Sequence, residues 1–285
     1  MAQYHMPVWD KVMSLRSHSC FNELADNVRA LANGSALVEI VNSGNWGDGL
    51  IHAGQAEFLA DIGVQVERIP VRRLQKKESW KTGLRRLIKG RNAIITGCGA
   101  FRDVYNRPSE FALAAKQFKH VLVMPSSLPF MPNLDARRTT FWRRDSAESM
   151  KGAPDARFCH DMAFYLQPSP RKATQDLGMF FRDDAERSGV TLPPGNVDLS
   201  TQGTHETDIG PFLDHIGACR VIHTNRLHIG IAGALLGREV HLYPGSNDKI
   251  KSMFEASLQP FYDNVHFHSE PPSSLYEKVE THEPS

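Results

Sequence analysis

The chain has 285 residues, 41% of them hydrophobic and 23% charged, with 33 Lys+Arg against 32 Asp+Glu. That length supports two modest domains with ordinary cores, and a net charge of +1 gives no ground for nucleic acid or an anionic membrane surface as the main partner. Four scattered cysteines (Cys20, Cys98, Cys159, Cys219) form no Cys-x-x-Cys pair, so a zinc ribbon and a disulfide scaffold are excluded and reduced cytosolic thiols are expected.

Met1 to Asp10 lacks a basic start followed by an apolar run, and no segment approaches the roughly 18 apolar residues of a membrane span. A soluble cytoplasmic protein without a transmembrane segment is expected. Phe21, Leu24, Val28 and Leu31 recur at helical spacing before Asn33-Gly34, giving a helical lead-in. A strand–turn–helix–strand unit follows: 36–41, the glycine-rich turn 42–48, helix 50–62, and 65–69. Residues 72–91 read as a basic helix with Trp80, Leu84, Leu87 and Ile88 on its apolar side. Next come strand 93–96 with a glycine turn at Gly97 to Phe101, helix 109–118, and strand 121–124 ending in Pro125-Ser126-Ser127.

Gln167 to Thr174 is proline-rich and polar, and after it the rhythm restarts. A strand at 178–182, an acidic helix, a strand near Val197, helix 206–218, strand 219–223, helix 229–237, strand 239–242 and helix 248–258 are expected. The predicted organisation is α/β: an N-terminal domain over 1–167, a linker at 168–176, a C-terminal domain over 177–265 and a loosely attached tail over 266–285. Two runs of alternating strands and helices imply two parallel-sheet domains facing a cleft.

Arg226-Leu227-His228 lies where a β-branched strand turns into a small apolar helix. Ligands bind at such carboxyl ends, and the free N–H groups of a helix start favour an anion. Arginine adds a planar cationic fork, and histidine a group that moves protons near neutral pH. Arg182 ends the second domain's first strand, and Lys249 starts a helix whose dipole it opposes, which calls for a compensating anion. The turn Asn42 to Asp48 (with Asn45, Trp46 and Asp48), the turn holding Gly97 and Gly99, and Ser126-Ser127 all end first-domain strands. Arg143-Arg144-Asp145-Ser146 reads as a surface ion pair with a helix cap. The 13 histidines are dispersed, and no metal-ligand cluster is expected.

Taken in order, Gly44-Asn45-Trp46-Gly47-Asp48, Gly97-Cys98-Gly99, Pro125-Ser126-Ser127, Arg144-Asp145-Ser146, Asp161-Met162-Ala163-Phe164, Arg226-Leu227-His228 and Lys249 resemble the signposts of the polysaccharide pyruvyl transferases. The resemblance spans about residues 36–260. It implies two Rossmann-like domains similar to GT-B glycosyltransferases. It also implies transfer of the pyruvyl group of phosphoenolpyruvate onto two hydroxyls of a sugar, giving a cyclic ketal. The acceptor would belong to an exopolysaccharide, a capsule or a lipid-linked precursor, at the inner face of the membrane in the last case.

On this resemblance His228 and Arg226 are catalytic, and Arg182, Arg226, Lys249 and Ser127 hold the donor. Asn45, Trp46, Asp48, Gly97, Gly99 and Ser126 face the acceptor or complete the pocket. Phosphoenolpyruvate is a substrate, and no cofactor or metal is expected. Pro129 stands where many family members carry a histidine, so His228 acts alone, His52 or His160 replaces the missing group, or the chain has changed donor or lost activity. A GT-B-like glycosyltransferase using a nucleotide sugar and a non-catalytic sugar-binding relative are the alternatives. The former is disfavoured by the lack of an evident carboxylate pair in the second domain.

Overall fold

The computed structural model describes residues 15–75, 87–99, 101, 107–184 and 191–276, which build two sheets of parallel strands. The first contains β1 (Leu37–Val41), β2 (Val66–Pro70), β3 (Ala93–Ile95), β4 (Val121–Ser126), β5 (Thr139–Arg143) and β6 (Arg157–Phe158), in the order β2-β1-β3-β4-β5-β6. The second contains β7 (Gln175–Phe180), β8 (Cys219–Thr224), β9 (Glu239–Leu242) and β10 (Val265–Phe267), in the order β10-β9-β8-β7. Parallel pairing needs crossover connections, and helices supply most of them. These are α1 (Ser19–Ala32), α2 (Trp46–Asp61), α3 (Val71–Gln75), α4 (Arg107–Ala115), α5 (Glu148–Gly152), α6 (Gly210–Ala218), α7 (Leu227–Leu235) and α8 (Lys249–Met253).

Strand alternation divides the apolar residues between two clusters. Val38, Ile40, Ile95 and Val123 point to one face of the first sheet, where they meet Phe111. Leu37, Ile94 and Leu122 point to the other, and their cluster continues through Leu50 and Ile51 of α2 and Ile229 and Ala232 of α7 to Ile222 and Val240 of the second sheet. Both sheets therefore share one continuous core. Trp46 helps join them: its Nε1 donates to Asp208 O at 3.2 Å and its ring packs on Phe212.

The strands at 37–41, 66–70, 93–95, 121–126, 219–224 and 239–242 lie within a residue or two of their expected places. β7 runs over 175–180 rather than 178–182, beginning within the expected linker, and three further segments differ. The strand expected near Val197 is a turn leading into a 3-10 helix (Leu199–Gln202), because the Asn196 side chain takes Phe181 N and O. β5 and β6 extend the first sheet where only chemistry-bearing residues had been singled out. The tail expected from 266 instead continues β10 and then buries Leu275 in a short 3-10 turn (Ser273–Tyr276). Most of the expected basic helix (76–86), part of the acidic one (185–190), and residues 1–14 and 277–285 lie outside the described residues.

Candidate functional site

A cavity of about 380 Å³ is lined by loops that follow strands of both sheets. Asn42 to Asp48 follow β1, Gly99 follows β3, Arg182 and Asp184 follow β7, Asn225 to His228 follow β8, and Gly245 to Ile250 follow β9. All of these positions lie beyond strand carboxyl ends, the usual location for ligands in parallel sheets. Two helix amino ends take part. Asn45 caps α2 by accepting from Gly47 N at 2.8 Å, and Asp48 returns the bond to Asn45 N at 3.2 Å. Arg226 stands at the N-cap of α7 without a side-chain cap bond, so its helix start keeps N–H groups for another acceptor.

His228 is the one histidine among the residues lining this cavity, with 12% of its side chain exposed. Its Nε2 lies 3.6 Å from Oδ2 of Asp161, and the same carboxylate is ion-paired with Nη1 of Arg144. Asp161 and Arg144 are wholly buried. Arg144 is further held by Nε donating to Ser127 Oγ at 3.0 Å, while its Nη2 is buried without a hydrogen-bond partner. Burial lowers the pKa of His228, Asp161 opposes that shift, and the positive charges of Arg144 and Lys249 reinforce it. Burial alone would raise the Asp161 carboxyl, but Arg144 and then His228 outweigh it and hold it far below the usual carboxylate range. At neutral pH the group is thus a neutral imidazole beside a fixed anion.

Two glycines make room for this arrangement. A Cβ on Gly47 would stand 2.9 Å from His228 Nδ1, and one on Gly99 would stand 2.5 Å from Lys249 Nζ and 2.8 Å from Arg144 Nη2. Arg144 Nη2 and Lys249 Nζ therefore converge at Gly99, on the cavity wall.

Arg226 is placed differently from a free anion anchor. Its Nε donates to Asp198 Oδ1 at 2.9 Å, and its Nη2 pairs with Asp198 Oδ2 and with Asp184 Oδ2. Arg182 Nη1 also bonds Asp184, at 3.1 and 3.2 Å, and its backbone N donates to Asn225 Oδ1 at 2.7 Å. Burial, with Arg226 beside it, lowers the Arg182 pKa. Two arginines face two carboxylates, so this quarter of the site is close to neutral. The second half does carry a carboxylate pair, Asp184 and Asp198, contrary to the expectation.

Of the residues singled out in the sequence, Asn45, Asp48, Gly99, Arg182, Arg226, His228 and Lys249 come together on the cavity. Trp46, Gly97, Ser126 and Ser127 are not among its lining residues. Trp46 is spent on the contact between the sheets, and Gly97 is buried against Pro125 O with its N–H on Gln55. Ser126 Oγ donates to Met124 O and accepts from Cys98 N, and Ser127 supports Arg144. Pro129 packs on Gly152 of α5. His52 contacts Arg68 and His205, and His160 contacts Ser257, so neither lines the cavity. Arg144 is buried rather than at the surface. The residues missed were Arg107, Asp184 and Asn225, which line the wall, and Asp161 as the partner of His228. Only the order of short motifs pointed to Asp161, since its partners lie far from it in sequence.

No family model and no curated protein matches this chain. A crystal structure of an uncharacterized protein from Klebsiella pneumoniae subsp. pneumoniae NTUH-K2044 superposes with a TM-score of 0.70 at 18% identity, covering 89% of this chain and 100% of the other. What the two share is the fold.

Proposed function

We propose that the chain is a phosphoenolpyruvate-dependent ketal pyruvyl transferase acting on a sugar of an exopolysaccharide, capsule or lipid-linked precursor. The observation that carries this reading is a neutral His228 on the cavity wall, backed by the buried Asp161–Arg144 pair and flanked by Lys249. The donor has a carboxylate and a phosphate, so it needs cations and N–H groups around it. Lys249, the start of α7 and Arg107, which is also paired with Glu110, fill that role, with the buried Arg144 adding its charge from behind the wall. Arg226, already engaged by Asp198 and Asp184, is a positioning residue that ties those carboxylates to the helix carrying His228. Asp184 is then placed to accept a hydrogen bond from a sugar hydroxyl. In this reading the two parallel-sheet halves act as in a GT-B-like enzyme, with donor and acceptor meeting at the strand ends.

The chemistry follows from the charge balance. The bound dianion or trianion offsets Arg144 and Lys249 and raises the His228 pKa, so His228 takes up a proton. It delivers that proton to the methylene carbon of the donor as the first sugar hydroxyl adds to the central carbon and gives up its own proton to solvent, replacing the one that His228 took up. Phosphate then leaves with its bonding pair, and the second hydroxyl adds and loses its proton, which phosphate carries away. One enol phosphate and two hydroxyls become a ketal and inorganic phosphate.

The test is phosphate release from phosphoenolpyruvate in the presence of bacterial saccharides, with the product analysed by mass. Release that depends on the saccharide and yields a pyruvylated product supports the assignment. A product carrying a transferred sugar from a nucleotide donor replaces it. That second reading draws on Asp184, the one of these two carboxylates that lines the cavity.

A further inference from the structure

A second group of chemistry-bearing side chains lies apart from the cavity, where the start of α1 meets the end of β6. His18 is the N-cap of α1, Cys20 lies in its first turn, and Cys159 and His160 follow β6. His18, Cys20 and His160 each offer one ligand atom, and these atoms lie within 4.8 Å of one another. Cys159, the residue before His160, is buried next to this group but is not one of the three whose ligand atoms lie within that distance. Cys20, Cys159 and His160 are buried, whereas His18 is partly open to a second cavity of about 410 Å³ that also touches His160 and Glu255.

An independent observation bears on His160. Its Nδ1 bonds Ser257 Oγ at 2.8 Å, but its Nε2 is buried with no partner. Leaving a buried polar atom unsatisfied costs about 1–3 kcal/mol. With Nδ1–H directed at Ser257, Nε2 carries the lone pair, the arrangement by which an outer-shell partner orients a metal-bound imidazole. The rings of Phe21, Phe158, Phe164 and Phe261 surround the imidazole with centroids 5.1–6.3 Å away, so no charged competitor is supplied from those sides. His18 Nδ1 accepts from Cys20 N at a long 3.4 Å, a weak bond that a ring rotation gives up at small cost.

We propose that His18, Cys20 and His160 form a site for one Zn²⁺ ion. One thiolate and two imidazoles suit zinc, and the cavity beside His18 and His160 leaves room for water as the fourth ligand. At zinc–ligand distances of roughly 2.0–2.3 Å, tetrahedral ligand atoms sit roughly 3.5–3.8 Å apart, so the cluster closes by about 1 Å on binding. The ion clamps α1 to the segment that carries Asp161, one residue beyond His160. The site is structural and independent of the activity proposed above.

Tag-free full-length protein, stripped with chelator in a phosphine reductant, is titrated with Zn²⁺ by calorimetry and with Co²⁺ by absorption. One tightly bound ion per chain, thiolate-to-cobalt charge-transfer bands and a rise in Tm with Zn²⁺ are expected. Cys20→Ser and His160→Gln each weaken binding at least about tenfold, while Cys219→Ser, buried in the second sheet, binds normally. Should the variants fold poorly, alkylation of wild-type Cys20 followed by mass spectrometry gives the same answer, being slowed by Zn²⁺. Absence of saturable binding, cobalt spectra without thiolate bands, unaltered binding in both variants, or alkylation of Cys20 at an unchanged rate overturns the proposal.

Discussion

His228 Nε2 lies 3.6 Å from Asp161 Oδ2, and on its other side the same carboxylate pairs with a fully buried Arg144. One carboxylate thus balances a permanent charge and lies beside the cavity's imidazole. Asp161→Asn removes the compensating charge from a buried guanidinium, and breaking such a pair costs about 3–5 kcal/mol. The urea midpoint should fall accordingly. A drop below about 1 kcal/mol would mean that Arg144 reaches solvent.

His228→Asn removes the proton carrier without emptying the core. Its melting temperature should stay near the wild type's, while phosphate release from phosphoenolpyruvate falls by about 10²–10⁴, the usual worth of a general acid or base. Retained turnover would place the proton transfer elsewhere.

Gly99→Ala separates binding from folding. The added methyl meets Lys249 Nζ at 2.5 Å and Arg144 Nη2 at 2.8 Å, and the lysine end can swing aside. Stability should change by no more than about 1 kcal/mol, whereas affinity for phosphoenolpyruvate should fall about tenfold, equivalent to about 1.4 kcal/mol. Calorimetry of both quantities on one preparation distinguishes these effects.

The pH dependence carries its own signature at His52, whose pKa is lowered to about 4, first by burial and then by Arg68 and His205, against the pull of Asp48. Below the ordinary value of 6.5 the unfolded chain takes up this proton and the folded one does not. This residue therefore lowers stability as pH falls from about 6.5 to about 4, and its effect levels off below that. His223, also held at about 4 by burial, acts in the same direction. The wild-type urea midpoint should fall over this range more steeply than that of His52→Gln. Parallel profiles would place His52 in water.

Much of the fold was legible because strand runs such as Leu37–Val41 and Val121–Ser126 are apolar on both faces, as parallel strands between helices must be. Arg226 and His228 were legible as strand-end residues that line the cavity, because they form a polar pair between an apolar strand and an apolar helix. Their partners were not. Asp184, Asp198 and Asp161 are ordinary acidic residues in sequence, and only the meeting of β7, β8 and the turn after β6 turns them into counter-charges. Arg144 was misread for the same reason: its surface-like neighbours Arg143 and Asp145 hide that β5 carries it inward. Ser126, Ser127 and Trp46 had the right type at strand ends, but a chain alone does not distinguish the wall of a cavity from the support behind it.

The most direct measurement is a thermal-shift titration with phosphoenolpyruvate, run on the wild type, on Lys249→Ala and on His228→Asn. A ligand at a hundred times its dissociation constant stabilises by about 2.7 kcal/mol. A clear rise in Tm for the wild type is expected, much reduced in Lys249→Ala and retained in His228→Asn. No rise with phosphoenolpyruvate, or an equal rise in Lys249→Ala, contradicts the assignment of this cavity as the donor site.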